Sequence, residues 1–369
     1  MTKTPTQHTP KKNSPLKRFF ITILLLVTLL LLWIYIATYH PNDVEVEAVF
    51  SPSDAPLLEN GQKIKVLSWN IQFLAGNHNN HFFYDNGPDA WPSLKTVNQT
   101  AEWIAQIIEQ ENPDVILLQE VDDGAKRTHY KDQLKQILAL LPKDYVSHTS
   151  SFYWLADFLP LPEIWGAVGM KMSIISKYKL ENGLRYALPS ITSDNIIRKQ
   201  FNVKRAIHTA QIPINGGGSV QFLNTHLSAF AQGTNTMEKQ IAFVQHVLSQ
   251  FNHTKDNVIL AGDFNLVASK VSYNRLDKKR QGHYNPVQSE LTPLIKKYNS
   301  IPSLAEIEGE NYAQWFTHSS NDDDSIEPDK TIDYIFYLGG LTLKEHYIKA
   351  GDARKISDHL PVIATFSVN

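Results

Sequence analysis

The chain predicts an α/β domain behind one N-terminal membrane-spanning helix, and three observations carry that prediction. Short runs of β-branched and aromatic residues alternate with amphipathic helical patterns, as expected of helices packed on sheets. One apolar stretch, Phe19 to Tyr39, is long enough to cross a bilayer. Polar residues recur at the C-terminal ends of the apolar runs, the place where ligand sites gather in open α/β sheets.

In chain order, residues 1–18 form a basic tail, with Lys11, Lys12, Lys17 and Arg18 close to its end. Residues 19–39 follow as an almost unbroken apolar run, with Trp33, Tyr35 and Tyr39 toward its far end. About 20 residues rising about 1.5 Å each match the bilayer core, and aromatic rings favour its interface. A cleaved signal peptide has a shorter apolar region and a small-residue cleavage site, and neither is found. Basic residues before the span and Asp43, Glu45 and Glu47 after it place the N-terminus in the cytoplasm by the positive-inside rule. The expected protein is therefore single-pass, with its catalytic domain outside the cytoplasm in a periplasm or equivalent. Residues 40–62 mix Pro, Ser, Asp and Asn and read as a linker; residues 63–369 form the catalytic domain.

Within that domain, Ile64–Trp69, Val115–Val121, Met172–Ser176, Val220–Thr225, Val258–Asp263 and Ile332–Tyr337 read as buried strands. Val97, Ala101, Ile104 and Ile108 share one helical face behind a start at Pro92-Ser93. Met237, Ile241, Val244, Leu248 and Phe251 share another. The Asn321–Ser325 stretch reads as a solvated loop without calcium-ligand spacing.

Composition narrows the chemistry. The chain has no cysteine, which excludes disulfides, zinc–thiolate sites and cysteine nucleophiles. Its 35 basic and 37 acidic residues leave it without the basic excess usual in dedicated nucleic-acid binders. No G-x-S-x-G elbow marks a serine hydrolase.

What remains is a set of oxygen and imidazole groups at strand ends. In order they are Ser68-Trp69-Asn70, Gln119-Glu120, Asn224-Thr225-His226, Asp263-Phe264-Asn265, Asp333 and Ser357-Asp358-His359. Singly, each is an ordinary strand-terminating or structural group. Together, hard oxygen ligands suit magnesium or manganese, and two imidazoles with carboxylates suit acid–base work, which describes metal-assisted phosphoester hydrolysis.

The strings that hold these residues are Val-Leu-Ser-Trp-Asn-Ile, Leu-Leu-Gln-Glu-Val, Asn-Thr-His-Leu, Ala-Gly-Asp-Phe-Asn, Ile-Asp-Tyr-Ile-Phe and Ser-Asp-His-Leu-Pro-Val. In this order they resemble the endonuclease/exonuclease/phosphatase superfamily over roughly residues 63 to 368. The resemblance implies a four-layer α/β sandwich (DNase I-like): two packed β-sheets flanked by helices. It implies Glu120, Asn70 and Asp358 as metal-site residues. Asp263 and Asn265 would orient water and contact phosphate, as Asn70 also would. His359 would be catalytic and oriented by Asp333. Members similar to pancreatic deoxyribonuclease and neutral sphingomyelinases carry a histidine at the position of His226, which would act opposite His359. The resemblance leaves open which histidine is acid and which base. It also leaves open the partner of His226, for which Asp157 and Glu163 are candidates by position.

The superfamily acts on lipids, nucleic acids and nucleotide conjugates with nearly one site. The expected partner is thus a phosphoester substrate, phospholipid or nucleic acid, with the membrane held by the N-terminal anchor; no obligate protein partner is implied. Lys204 and Arg205 are candidate phosphate contacts, while Lys278-Lys279-Arg280 reads as a soluble face. The aromatic, proline-broken stretch from Phe152 to Trp165 is either core or an interfacial loop. Besides a membrane-anchored phosphoesterase, the alternatives are an extracytoplasmic nuclease and a non-catalytic binding protein that keeps the fold.

Overall fold

The computed structural model describes residues 15–77, 89, 91–191, 195–229, 231, 233–319 and 327–368. The Asn321–Ser325 stretch and most of the basic tail lie outside the described residues. The first described element is α1 (Pro15–Ile36), a helix with no buried residue, long and apolar enough to cross a membrane. Its two interior threonines, Thr22 and Thr28, give their hydroxyls to the carbonyls of Arg18 and Leu24 at 3.0 and 2.8 Å, so neither hydroxyl is left bare on an apolar surface.

The first strands are β1 (Val44–Val46), β2 (Val49–Phe50), β3 (Lys63–Asn70), β4 (Val115–Asp122), β5 (Ser147–Leu159), β6 (Gly166–Ser176) and β7 (Glu181–Ala187). They are followed by β8 (Ala206–Pro213), β9 (Ser219–His226), β10 (Asn257–Asp263), β11 (Asn299–Ile301), β12 (Asp333–Leu338), β13 (Leu341–Ile348) and β14 (Val362–Val368). One sheet runs β13-β14-β3-β4-β6-β5-β2 and the other β1-β7-β8-β9-β10-β12-β11.

The two sheets pack face to face, and strand alternation decides which side chains meet. Ile64, Val66, Val115, Leu117 and Ile174 of the first sheet form one buried cluster with Phe222, Ile259, Ala261 and Ile335 of the second. Their strand neighbours point outward, because successive side chains alternate between faces. Leu67, Trp69, Ile116 and Leu118 pack on Val97, Ala101, Ile104 and Ile108 of α2 (Leu94–Glu111). Leu223, Val258, Leu260 and Phe336 pack on Met237, Ile241, Val244 and Leu248 of a helix at Thr236–Ser249. The result is helix, sheet, sheet, helix. Ser93 caps α2 by accepting from the Thr96 N–H, and Asn112 ends it in a left-handed conformation.

One stretch differs from the sequence expectation, and a second is decided between its two readings. Residues 40–62 are no free linker: β1 adds to the edge of one sheet by pairing with β7, β2 adds to the other by pairing with β5, and Leu58 is fully buried. Strand addition at an edge uses backbone groups, so it leaves little trace in side-chain pattern. Of the two readings of the aromatic stretch from Phe152, the core one holds for Tyr153, Ala156, Leu159 and Ile164, which are buried, although the stretch is strand up to Leu159. It is the outer half of β5, which forms a long hairpin with β6.

Gly262 shows how tightly β9 and β10 are matched. Its φ is +146°, and a Cβ there would lie 1.8 Å from the Thr225 carbonyl oxygen. Gly262→Ala should therefore lower stability by about 3 kcal/mol, read as a lower urea midpoint at unchanged slope.

Candidate active site

The inward-facing positions of the sandwich turn polar at one end. On β3 the alternation that buries Ile64 and Val66 continues to Ser68 and Asn70; on β9 it runs from Val220 and Phe222 to Asn224 and His226. On β10 it reaches Asp263 from Ile259 and Ala261, and on β12 Asp333 from Ile335. The site is thus the polar end of the inter-sheet core. Below it, Gln119 donates to the Asn224 side-chain oxygen at 2.7 Å, and the Asn224 amide donates to the Leu118 and Ser173 carbonyls at 2.9 and 3.0 Å, tying the sheets together.

Glu120 would face the helix side by simple alternation. A register shift between Leu118 and Val121, with Glu120 at a φ of 57°, breaks the alternation at this point. Its Oε1 accepts from the Asn70 amide at 3.1 Å. The same amide donates to Asp263 Oδ2 at 3.1 Å. The Asn70 oxygen is engaged by the Gln72 N–H at 3.0 Å, in a turn whose Gln72, Phe73 and Leu74 all have positive φ. Asn70 therefore turns its NH2 group toward the carboxylates.

Asp263 stands between the two histidines: its Oδ2 is 3.3 Å from His226 Nε2 and 3.6 Å from His359 Nε2. His359 Nδ1 meets Asp333 Oδ2 at 2.8 Å, and its backbone carbonyl accepts from the Trp69 indole at 2.8 Å. Ser357 spans the junction by donating to the Asn70 carbonyl and accepting from the His359 N–H. Asn265, at a φ of 52°, donates its amide N–H to Asp263 Oδ1 and its side chain to the Leu227 carbonyl.

The partner of His226 was missed by sequence reasoning. Its Nδ1 faces the buried Tyr153 hydroxyl at 3.3 Å and Glu120 at 3.9 Å. Asp157 and Glu163 lie instead on the outer part of the β5–β6 hairpin. His318 was missed as well. Its ring stands edge-on to His359 with centroids 4.5 Å apart, and its Nδ1 is buried without a hydrogen-bond partner among the described residues.

These surroundings separate the two histidines electrically. Burial, with Arg205 and His359 adding to it, holds His226 well below the usual imidazole range. Burial also pulls His359 down, but Asp333 and then Asp263 more than reverse this and raise it to about 10. Asp263 is raised to about 7 by burial, with Asp333 and Glu120 pushing the same way and His359 opposing them.

The donor set fits a hard divalent cation. Ligand atoms of Asp263, Asp333 and His359 lie within 4.8 Å of one another, as do those of His318, Asp358 and His359. The burial that raises Asp263, and the carboxylate crowding that adds to it, are what a bound cation offsets. Glu120 joins neither group of three; it reaches the site through Asn70. Of the basic candidates, Arg205 lies 5.3 Å from the Tyr153 ring and beside His226. The Lys204 ammonium donates to the Lys199 carbonyl. Arg280 is 3.8 Å from Asp329, on a helical turn with Lys278 and Lys279.

No curated protein sequence matches the chain. Among solved structures, an endonuclease/exonuclease/phosphatase from Beutenbergia cavernae is similar at a TM-score of 0.56 and 20% identity, over 84% of this chain and 72% of that one. The human Nocturnin catalytic domain, solved with a bound sulfate anion, is similar at a TM-score of 0.52 and 17% identity, over 88% and 97% of the two chains. Likenesses at this identity establish the shared fold. The sequence profile described as Endonuclease/Exonuclease/phosphatase family matches residues 67–359, and the chain belongs to that family of phosphoester hydrolases.

Proposed function

We propose that the protein is a membrane-anchored phosphoesterase that uses magnesium, or manganese, to hydrolyse a phosphodiester or phosphomonoester by in-line attack of water. The observation that carries this reading is the junction at Asp263, where two histidines of opposite charge preference meet one crowded carboxylate. Glu120 and Asp358 are the residues we assign to the metal, with the Asn70 carboxamide, the third metal-site residue of the resemblance, orienting Glu120 through its NH2 group. Bound there, the cation would stabilise charge on the phosphoryl oxygens.

The protein groups divide the proton work. His359 is kept cationic by Asp333 and is the donor that holds a phosphoryl oxygen or protonates the leaving oxygen. His226 is kept neutral and, with Asp263, forms the proton-accepting side that orients water. Tyr153 fixes the His226 ring from behind, while Asn70 and Asn265 hold the carboxylates and contact the phosphate. Arg205 adds positive charge beside His226, and Lys204 stands in the same basic recess with Lys199. α1 serves as the anchor, with the catalytic domain outside the cytoplasm.

A substrate panel tests the reading. The full chain should turn over bis(para-nitrophenyl) phosphate with magnesium, and Glu120→Ala should abolish this. His226→Ala and His359→Ala should each lower kcat by about 10²–10⁴-fold. Plasmid DNA, RNA and phospholipid vesicles in the same panel identify the substrate class, and a folded chain that fails to bind magnesium would sink the proposal.

The pH profile should be a bell. Activity rises as Asp263 loses its proton near about 7, and added cation moves this limb downward by favouring the carboxylate. Activity falls as His359 loses its proton through about 10. Asp333→Asn removes a charge that holds that proton, so the alkaline limb should move to lower pH; an unmoved limb would remove His359 from the donor role.

A further inference from the structure

The end of α1 is fastened to the β5–β6 hairpin rather than hanging from it. The Tyr39 N–H donates to the Leu155 carbonyl at 3.2 Å, the Asp157 N–H donates to the Ala37 carbonyl at 2.9 Å, and Thr38 pairs with Ala156. Trp33, within α1, meets Phe158 at a centroid distance of 6.0 Å, and Phe158 meets Trp165 at 5.1 Å. A ring touching Trp33 stands at the depth of Trp33. If α1 crosses a bilayer, the hairpin tip therefore enters the interface, where its exposed Leu161 and Trp165 are favourably placed.

Register shows which end of the domain this is. β6 runs antiparallel to β4 and pairs Met170 with Asp122 and Lys171 with Val121, so residues 154–165 project beyond Glu120, at the site end of the sheet. The connection between β7 and β8 leaves the same end of the other sheet, since Ala206 pairs with Ala187 and Ile207 with Thr225, next to His226. A helical turn in that connection, Ile196–Phe201, leans on the hairpin through the Trp154 indole, which donates to the Phe201 carbonyl at 2.8 Å. It leaves Ile196 and Ile197 80% and 59% exposed beside Arg198 and Lys199. Apolar side chains flanked by cations suit a bilayer surface carrying anionic lipid.

Distance supports the same picture. α1 has 22 residues, about 33 Å at about 1.5 Å each, against a hydrocarbon core of about 30 Å. Its C-terminal end thus sits at the core boundary. From Tyr153, which touches His226, to the α1 attachment at Leu155–Asp157 is about 7–13 Å of strand, close to the thickness of the headgroup layer.

We infer that the active-site mouth faces the bilayer and that the substrate is a phospholipid whose phosphoester lies in the headgroup layer, reached while the hairpin tip and the Ile196–Phe201 turn rest on the membrane. This rests on the membrane-anchored phosphoesterase reading above. The reaction is hydrolysis: water oxygen bonds to phosphorus, one ester P–O bond breaks, and a proton passes to the departing oxygen to leave an alcohol and a phosphate monoester.

The chain has no cysteine, so single thiols report position cleanly. Full-length Leu161→Cys and, at the opposite end of β3, Asn60→Cys would carry a polarity-sensitive dye in vesicles of phosphatidylcholine and phosphatidylglycerol. Lipid-borne nitroxide should quench the Leu161→Cys label several-fold more than the Asn60→Cys label; equal quenching overturns the orientation. In the same vesicles, Ile196→Glu with Ile197→Glu should cut phospholipid hydrolysis about tenfold and leave bis(para-nitrophenyl) phosphate turnover unchanged. Turnover of the soluble ester or of an oligonucleotide with no lipid hydrolysis overturns the substrate class. Unequal quenching with no turnover of any ester upholds the orientation and overturns the hydrolase reading instead.

Discussion

The face-to-face packing of two sheets is the constraint on which the rest depends. Each central strand must give one row of side chains to the other sheet and one row to a helix, so the row facing the other sheet is fixed by register. Ile64, Val66, Phe222, Ile259 and Ile335 fill that row with apolar bulk, and its last positions are Asn70, His226, Asp263 and Asp333. A one-residue slip in any of these strands would send its polar terminus into the helix layer. The Gln119–Asn224 bond guards against this by crossing between sheets directly beneath the site. The bulge at Glu120 breaks the rule locally, where a fifth functional group comes from the opposite row.

Burial then gives the site its chemistry. Asp263, His226 and His359 are each nearly inaccessible, so charge inside is governed by neighbours and not by water. Two carboxylates as close as Asp263 and Asp333, with Glu120 nearby, are costly unless a cation joins them. His359 is one such cation, held between Asp333 and Asp263; a bound metal is the other that the donor set suits. His226 sits on the far side of Asp263, next to Arg205, which opposes a second positive imidazole. Two residues of one type are thereby driven apart in charge by position alone.

Much of this was legible in the sequence because its determinants are local. The central strands and both long helices follow from alternation and from 3.6-residue spacing, down to the Ser93 cap. The site groups are contiguous with the strand ends that carry them. The edge strands Val44–Val46 and Val49–Phe50 were not legible, since backbone pairing needs no apolar pattern. The Phe152–Trp165 stretch stayed open between core and loop because Pro160 and Pro162 break it; the structure places both in the turn between two strands. Tyr153 approaches His226 across a gap of 73 residues, and only a sheet-to-sheet contact discloses that. Its one local signal was parity with Ser147, Thr149 and Ser151, all buried on alternate positions of the same strand.

A tether and a fixed mount do different physical work. A flexible linker after α1 would raise the concentration of the domain near a membrane while leaving its site free to face any direction. Here residues 37–39 pair with the hairpin, and β1 and β2 follow at once on both sheets, so rotational freedom is removed as well. Tyr39 adds to the mount: its ring lies 5.6 Å from the buried Arg185 guanidinium, which itself donates to the Phe152 and Lys204 carbonyls. Ordering these residues costs conformational entropy that a loose tether would keep. A domain acting on diffusing nucleic acid gains nothing from that loss. One whose substrate is confined to a plane gains orientation on every encounter, because the entropy of alignment has been spent in folding and not at each binding event.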